Sequence, residues 1–409
     1  MRILMGVTVP FPDGGANTRR VRTIGRELAR QGCSVVVVCP LRRQVGERKE
    51  SIEGMDVEWC FVPTENMGIF TRNHRVRLWV QLVSRTRWMF RICRILATHG
   101  CDWLYIYQPG PDSVVAGLFA RLFHVRVCAE YGDLIDETYY TGSWARPVIL
   151  ALRLSDLVSC RLANVVVTIS RQLEERYRQM VRHARVLRIP IVVDVDRFST
   201  GCGPSFRACH GYRADQRLIG YAGSFSHANG VMSLLAAFEE TVKSIPDAVL
   251  LIAGGNIGTD RDPVEKGIED RGLQGRAVCL GTLQEEQIID FLAAVDIVVL
   301  PKLDDPVNWA GMSTKLGEYL AAGRALVATR VGDAGEALND GVNALLVNAG
   351  DPKEMASAIA RLLENDALRQ RLGGQARQLA EQQFSARTWV SRLVAQLEMA
   401  GEGTGEGQK

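Results

Sequence analysis

The chain has 409 residues, 47% of them hydrophobic, with 49 Lys and Arg against 46 Asp and Glu. That length accommodates two α/β domains, each burying its own core, and no apolar run approaches the roughly 18 residues of a spanning helix. Ten cysteines without CxxC pairs or Cys/His clusters point to neither a zinc site nor a disulfide framework and fit a reducing cytosol.

The net charge of +3 conceals an asymmetry. Residues 1–199 carry 29 basic and 19 acidic side chains (+10), and residues 200–409 carry 20 and 27 (−7). The basic half, almost all Arg, favours an acidic acceptor or an anionic membrane surface over nucleic acid, for which no motif is present.

The N-terminus enters a strand directly at Arg2–Val9 rather than a signal peptide, and a turn-rich loop follows at 10–15. A helix over about 17–31 and a strand at 34–39 complete the opening of a Rossmann-like unit. GxGxxG is absent, so a dinucleotide enzyme is not supported. Residues 66–101 contain seven Arg and no acid, and the core of this stretch is RVRLWVQLVSRTRWMFRICRIL. Segment 72–96 suits either a helix packed on the sheet with a solvated Arg face, or a helix lying on anionic lipid with Trp79, Trp88 and Phe90 at the interface.

Strands at 103–107 and 125–129 come next, and the second opens into EYGDLIDE, four carboxylates in eight residues. Ligands of open α/β sheets bind beyond the carboxyl ends of strands. A carboxylate here, Glu130 or Asp133, is therefore a candidate to orient an acceptor hydroxyl or take its proton, and helix capping is the alternative. VVVTIS at 165–170 is another buried strand.

In the second half, the strand at 218–222 runs into Gly223-Ser-Phe-Ser-His-Ala-Asn-Gly230 and an amphipathic helix, a loop able to cradle phosphate through backbone N–H groups. Strands ending at Gly254-Gly255 and Gly281-Thr282-Leu283 follow. The stretch DIVVLPKLDDPVNWAGMSTKLGEYLAAGRALVATR, residues 296–330, then gives a buried strand, a polar loop, a helix from Ser313 and the next parallel strand. N–H groups at Met312–Thr314, the helix dipole and Lys315 favour a diphosphate, while Glu318, about 5 Å further along the axis, lies one ribose away. The competing reading is a solvated helix face carrying an i,i+3 ion pair.

This stretch resembles the donor-binding segment of the large retaining family of GT-B glycosyltransferases, family 4, in its Ser-x-Lys subtype. The similarity continues through Gly332, Glu336 and Asp340-Gly341-Val342-Asn343. The resemblance implies two Rossmann-like, doubly wound domains facing across a cleft. The first spans 1–198 and regains a closing helix at about 384–400, the second spans 199–383, and 401–409 form a tail.

The resemblance further implies that Glu318 holds the donor ribose. Gly223, Ser224, Asn229, Ser313, Thr314 and Lys315 would face the diphosphate. Gly254, Gly255 and Leu283 would flank the base, with Gly14, Gly15 and Arg19 on the donor side of the first domain. Departures are equally specific. Gly132 stands where a sugar-contacting His is common, Ser224 and Asn229 where an Arg and a Lys usually touch the diphosphate, and Ala310 where a second Glu precedes the ribose acid. The expected reaction is metal-independent, cofactor-free and retaining, from a nucleotide sugar to a glycan or lipid-linked acceptor. A nucleotide-sugar epimerase and a non-catalytic partner subunit are the alternatives.

Overall fold

The computed structural model describes all residues except 10, 13–14, 42–47, 62–73, 99, 133–144, 182–183, 256–262, 306–307, 310–312 and 403–409. The chain divides into two compact units, residues 1–192 with 386–409 and residues 193–385. The division falls after Val192 rather than near 198, because Val193 and Val195 are buried in the core of the second unit.

The first unit contains β1 (Arg2–Val7), α1 (Ala16–Arg30), β2 (Ser34–Leu41), β3 (Lys49–Ile52), β4 (Met55–Phe61), α2 (His74–Thr98), β5 (Trp103–Tyr107), α3 (Pro111–Leu122), β6 (Arg126–Tyr131), α4 (Ala145–Leu162), β7 (Val165–Thr168), α5 (Arg171–Met180) and β8 (Arg185–Arg188). The strands form one sheet in the order β3-β4-β2-β1-β5-β6-β7-β8, parallel except for β3. The β3–β4 hairpin, turning at Glu53 and Gly54 with positive φ, has no counterpart in the sequence reading. Its outer strand, KESI, carries no apolar alternation to reveal it.

Right-handed crossovers send α1 to one face of this sheet and α2, α3 and α4 to the other. The buried side chains agree. Val21, Ile24 and Leu28 of α1 cluster with Ile3, Met5 and Val7, whereas Trp88 and Ile92 of α2 and Ala116 and Ala120 of α3 cluster with Leu4, Val38 and Leu104.

The second unit contains α6 (Gly203–Cys209), β9 (Leu218–Ser224), α7 (Val231–Ser244), β10 (Val249–Gly255), α8 (Pro263–Asp270), β11 (Ala277–Gly281), α9 (Glu285–Ala294), β12 (Ile297–Leu300), α10 (Thr314–Ala321), β13 (Ala325–Thr329), α11 (Gly332–Ala337), β14 (Leu345–Val347), α12 (Pro352–Glu364) and α13 (Asp366–Leu379). Its six strands are all parallel in the order β11-β10-β9-β12-β13-β14, the doubly wound arrangement in which strand order reverses between β9 and β12. Near-continuous Val/Ile/Leu runs produce strands buried on both faces, as a parallel sheet covered by helices requires. The final helix, α14 (Ala386–Glu402), buries Val390, Leu393 and Leu397 in the core of the first unit, beside α1.

Candidate functional site

Strand order reverses between β9 and β12, and the carboxyl ends of the strands at such a reversal are where α/β proteins bind ligands. Three backbone segments meet there so closely that glycine is obligatory. A Cβ on Gly254 would lie 1.8 Å from the Gly223 carbonyl oxygen, and one on Gly230 would lie 1.8 Å from that of Pro301. At Gly223 a Cβ would lie 1.8 Å from Cε of Lys315. Gly230 also takes a left-handed conformation, φ 68°, as it turns the chain into α7.

Lys315, in the first turn of α10, therefore runs beneath the 223–230 loop. Its Nζ donates to Asn229 Oδ1 at 2.9 Å and to the Tyr221 hydroxyl at 3.1 Å, and it sits 5.0 Å from the Tyr221 ring centroid. Asn229 is the organiser of the loop, its Nδ2 donating to Ser224 Oγ, Ser226 Oγ and the Ser224 carbonyl. Where the resemblance anticipates cations on this loop, the protein has a neutral amide clasp that holds one lysine ammonium against it. Tyr221, in turn, donates to the Ser224 carbonyl at 2.8 Å, and burial beside Tyr319 raises its phenol pKa. Tyr319 braces the strand end from α10, accepting from Ala222 N at 2.7 Å and donating to Ala222 O at 3.2 Å.

The face of α10 bearing Lys315 and Glu318 is not solvated, which counts against the competing reading of an exposed ion pair. Both side chains are buried, each 9% exposed, as is every residue from Lys315 to Ala321. Two charged groups buried one turn apart at a strand-order reversal are difficult to explain as an exposed ion pair. Ser313 is the N-cap and is half-buried, its side chain making no capping bond, and Thr314 begins the helix. Met312 and Ala310 lie outside the described residues.

Of the other expected donor contacts, Gly255 and Leu283 are half-buried at the ends of β10 and after β11, and Leu283 packs against the core. Asn308 is buried, donating to the carbonyls of Ala228 at 2.8 Å and Leu303 at 2.9 Å, which pins the loop after β12 to the loop after β9.

In the first unit, Gly15 caps α1, is exposed, and has open space around its Cβ position. No close approach demands a glycine there. Arg19, on the first turn of α1, is half-buried. Gly14 and Asp133 lie outside the described residues.

Glu130 requires a correction. It is completely buried at the end of β6, and its two carboxylate oxygens are taken by Arg20 Nε and the Tyr105 hydroxyl. A carboxylate so committed positions the backbone and does not reach an acceptor. Arg20 also donates to the carbonyls of Pro190 at 2.6 Å and Ile189 at 2.8 Å, tying α1, β5, β6 and the end of the unit together. Burial disfavours the Arg20 cation, but Glu130, Tyr105 and Tyr107 together outweigh this and hold its pKa above the ordinary value. The same burial and the Glu130 charge push the Tyr105 phenol well up. Arg20 was missed, although its place one turn before Ile24 on the apolar stripe of α1 is a signal that it faces inward.

The lipid-facing option for Trp88 is also corrected. Trp88 is fully buried, its Nε1 donating to the Val38 carbonyl at 2.8 Å, and it occupies space left by the missing side chain of Gly6. Phe90 is exposed, and the Trp79 side chain lies outside the described residues. Among the described residues no helix is long and apolar enough to cross a membrane, and no group of three or more His, Cys, Asp or Glu could hold a metal ion.

Two family profiles match the chain: glycosyl transferases group 1 over residues 216–365, and the glycosyl transferase 4-like domain over residues 14–193. Among curated proteins, D-inositol 3-phosphate glycosyltransferase of Corynebacterium urealyticum is 24% identical over 372 residues, covering 87% of this chain and 84% of that protein. The lipopolysaccharide core biosynthesis glycosyltransferase LpsE of Rhizobium meliloti is 30% identical over 172 residues, 42% of this chain and 47% of that one. Among solved structures, sucrose-phosphate synthase from Thermosynechococcus elongatus superposes with a TM-score of 0.74 at 17% identity, covering 98% of this chain and all of that one. Anabaena Alr3699/HepE in complex with UDP gives 0.71 at 19% identity, again over 98% of this chain and 100% of that one. These structural likenesses establish the fold as GT-B.

Proposed function

Because the chain belongs to the GT4-type glycosyltransferases, we propose that it moves a sugar from a nucleotide-diphosphate sugar to a hydroxyl acceptor, with retention and without a metal ion. The observation that carries this reading is the buried Lys315, held by Asn229 and Tyr221 under the glycine loop, with Glu318 buried one turn further along the same helix. Departure of a nucleoside diphosphate leaves negative charge on its terminal phosphate. In a site without a carboxylate-bound metal, that charge must be met by preorganised donors. Lys315 and the amide end of α10 supply them, while Glu318 accepts hydrogen bonds from the ribose hydroxyls and fixes the register of the donor. Gly223, Ser224 and Asn229 line the diphosphate side, Gly254, Gly255 and Leu283 the base, and Arg19 the donor side of the first unit.

With no protein nucleophile assigned, the acceptor attacks from the face the diphosphate leaves, and the departing phosphate takes the acceptor proton. Asp133 is the acceptor-side carboxylate in this reading, and Glu130 is withdrawn from that role. No cofactor beyond the donor is proposed. The Arg-rich first unit supports an acidic or lipid-linked envelope glycan as acceptor, a class to which one relative's name, lipopolysaccharide core biosynthesis glycosyltransferase, also belongs.

The test is a thermal-shift screen with UDP, GDP, ADP, CDP, dTDP and their sugars on the wild type and on Glu318→Ala. A ligand at 100 times its dissociation constant should stabilise by about 2.7 kcal/mol. One nucleotide series should stand out, lose most of its effect in the variant, and release sugar in EDTA when lysate supplies acceptors. A flat response to every nucleotide would overturn the reading. Binding without sugar release would instead point to a partner subunit.

A further inference from the structure

On the first unit, α2, α3 and α4 lie on one side of the sheet, and α3 is built inside out. α3 buries the small residues Ser113, Ala116, Gly117 and Ala120 and turns Leu118, Phe119, Leu122 and Phe123 outward. Leu122 is 68% exposed. Helix α4 is mixed. It buries Ile149, Ser155, Asp156, Ser159 and Cys160, but Leu150, 59% exposed, and Leu154 face out beside Arg146, Arg153 and Arg161. Single exposed apolar residues need no explanation, but several large ones brought together on two adjacent helices do.

The platform is rigid. A Cβ at Gly117 would lie 3.1 Å from Leu162 Cδ1, so the Leu162 side chain of α4 packs directly on the α3 backbone. Arg121 donates to the carbonyls of Arg161 and Leu162 at the end of α4, and Arg85 of α2 pairs with Asp112 of α3 at 3.6 Å.

We propose that this face docks on an anionic lipid bilayer, with the leucines and phenylalanines entering the headgroup boundary and the arginines pairing with lipid phosphates. Charge selects this occupant. Helices α2, α3 and α4 contain ten Arg and only two acids, of which Asp156 is buried under Tyr177. A second copy of the chain meeting this face about a two-fold axis would set arginine against arginine. A bilayer bearing acidic headgroups accepts both the cations, whose stems lie along the apolar surface, and the protruding apolar side chains. The anchor is thus the α3–α4 ridge with Phe90 of α2, and not Trp88, which is interior.

The inference is independent of the donor chemistry proposed above, and its failure would leave the nucleotide thermal shifts untouched. The experiment is flotation of the full chain at low salt with phosphatidylglycerol–phosphatidylcholine vesicles and with phosphatidylcholine alone. Wild type should float with the first and stay behind with the second. Leu122→Ser/Leu150→Ser should lower partitioning at least tenfold, about 1.4 kcal/mol. Arg146→Ala/Arg161→Ala should lower it roughly thirtyfold, at about 1 kcal/mol per arginine near an acidic surface. All four positions are exposed, so the variants should fold, which nucleotide-induced stabilisation checks. Three outcomes would overturn the proposal: wild type failing to float with the acidic vesicles, variants floating as well as wild type, or a dimer in sedimentation that the leucine variant dissolves.

Discussion

The pairing of Arg20 with Glu130 yields a prediction that separates a structural carboxylate from a catalytic one. Both side chains are essentially inaccessible, 3% and 0% exposed. Arg20→Met removes the cation, leaving Glu130 with only the Tyr105 hydroxyl and the Ile189 and Pro190 carbonyls without their guanidinium donors. Breaking a buried ion pair from one side costs about 3–5 kcal/mol. In a unit of about two hundred residues, where each kcal/mol moves the midpoint by about 2–4 °C, melting should fall by roughly 10 °C.

Glu130→Gln should cost about 3 kcal/mol, because the guanidinium stays buried beside neutral oxygens only. The double variant Arg20→Met/Glu130→Gln should be more stable than the sum of the singles predicts, with a coupling of about 2 kcal/mol, as expected of residues in direct contact. Tryptophan fluorescence reads this unit almost alone, since six of the seven tryptophans, all but Trp309, belong to it. The reasoning is refuted if Glu130→Gln melts like wild type yet abolishes sugar transfer, for then the carboxylate would act on substrate.

Gly223→Ala puts a methyl group where Lys315 Cε now lies. It should displace the ammonium, destabilise the second unit by about 1–3 kcal/mol, and reduce nucleotide-induced stabilisation, measured in the same thermal-shift assay. Asp156 is lifted by burial to about 6, against the opposing effects of Tyr177 and Arg176. Its folded-state value exceeds its unfolded one, so its contribution to stability is complete below about pH 4 and is lost as pH rises through 6. The loss, on the order of 3 kcal/mol in all and about 2 kcal/mol of it between pH 4.5 and 7, should appear in wild type and be absent from Asp156→Asn in urea titrations at those two pH values. Equal pH slopes would contradict the buried setting of this carboxylate.

Periodicity and punctuation alone determined a great deal. The apolar runs at 2–7, 103–107, 165–168, 218–222 and 297–300 are strands because each is long enough to cross a sheet and carries β-branched or aromatic residues. The amphipathic stripes of α1 and α7 follow from the same patterning. The motif around α10 pointed to the glycosyltransferase resemblance and to the helix proposed to carry the site, since Lys315 and Glu318 are separated by one helical turn whatever surrounds them.

What the sequence could not decide was which charged groups face inward. Burial of Lys315 and Glu318, the clasp of Asn229 on Lys315, and the capture of Glu130 by Arg20 across 110 positions of sequence all depend on strands that become neighbours only when the sheet forms. The inverted helix α3 makes the same point from the other side. A pattern of apolar residues tells which face is greasy, but only the packed sheet, by taking the small residues for itself, determines that the large ones are left for a partner.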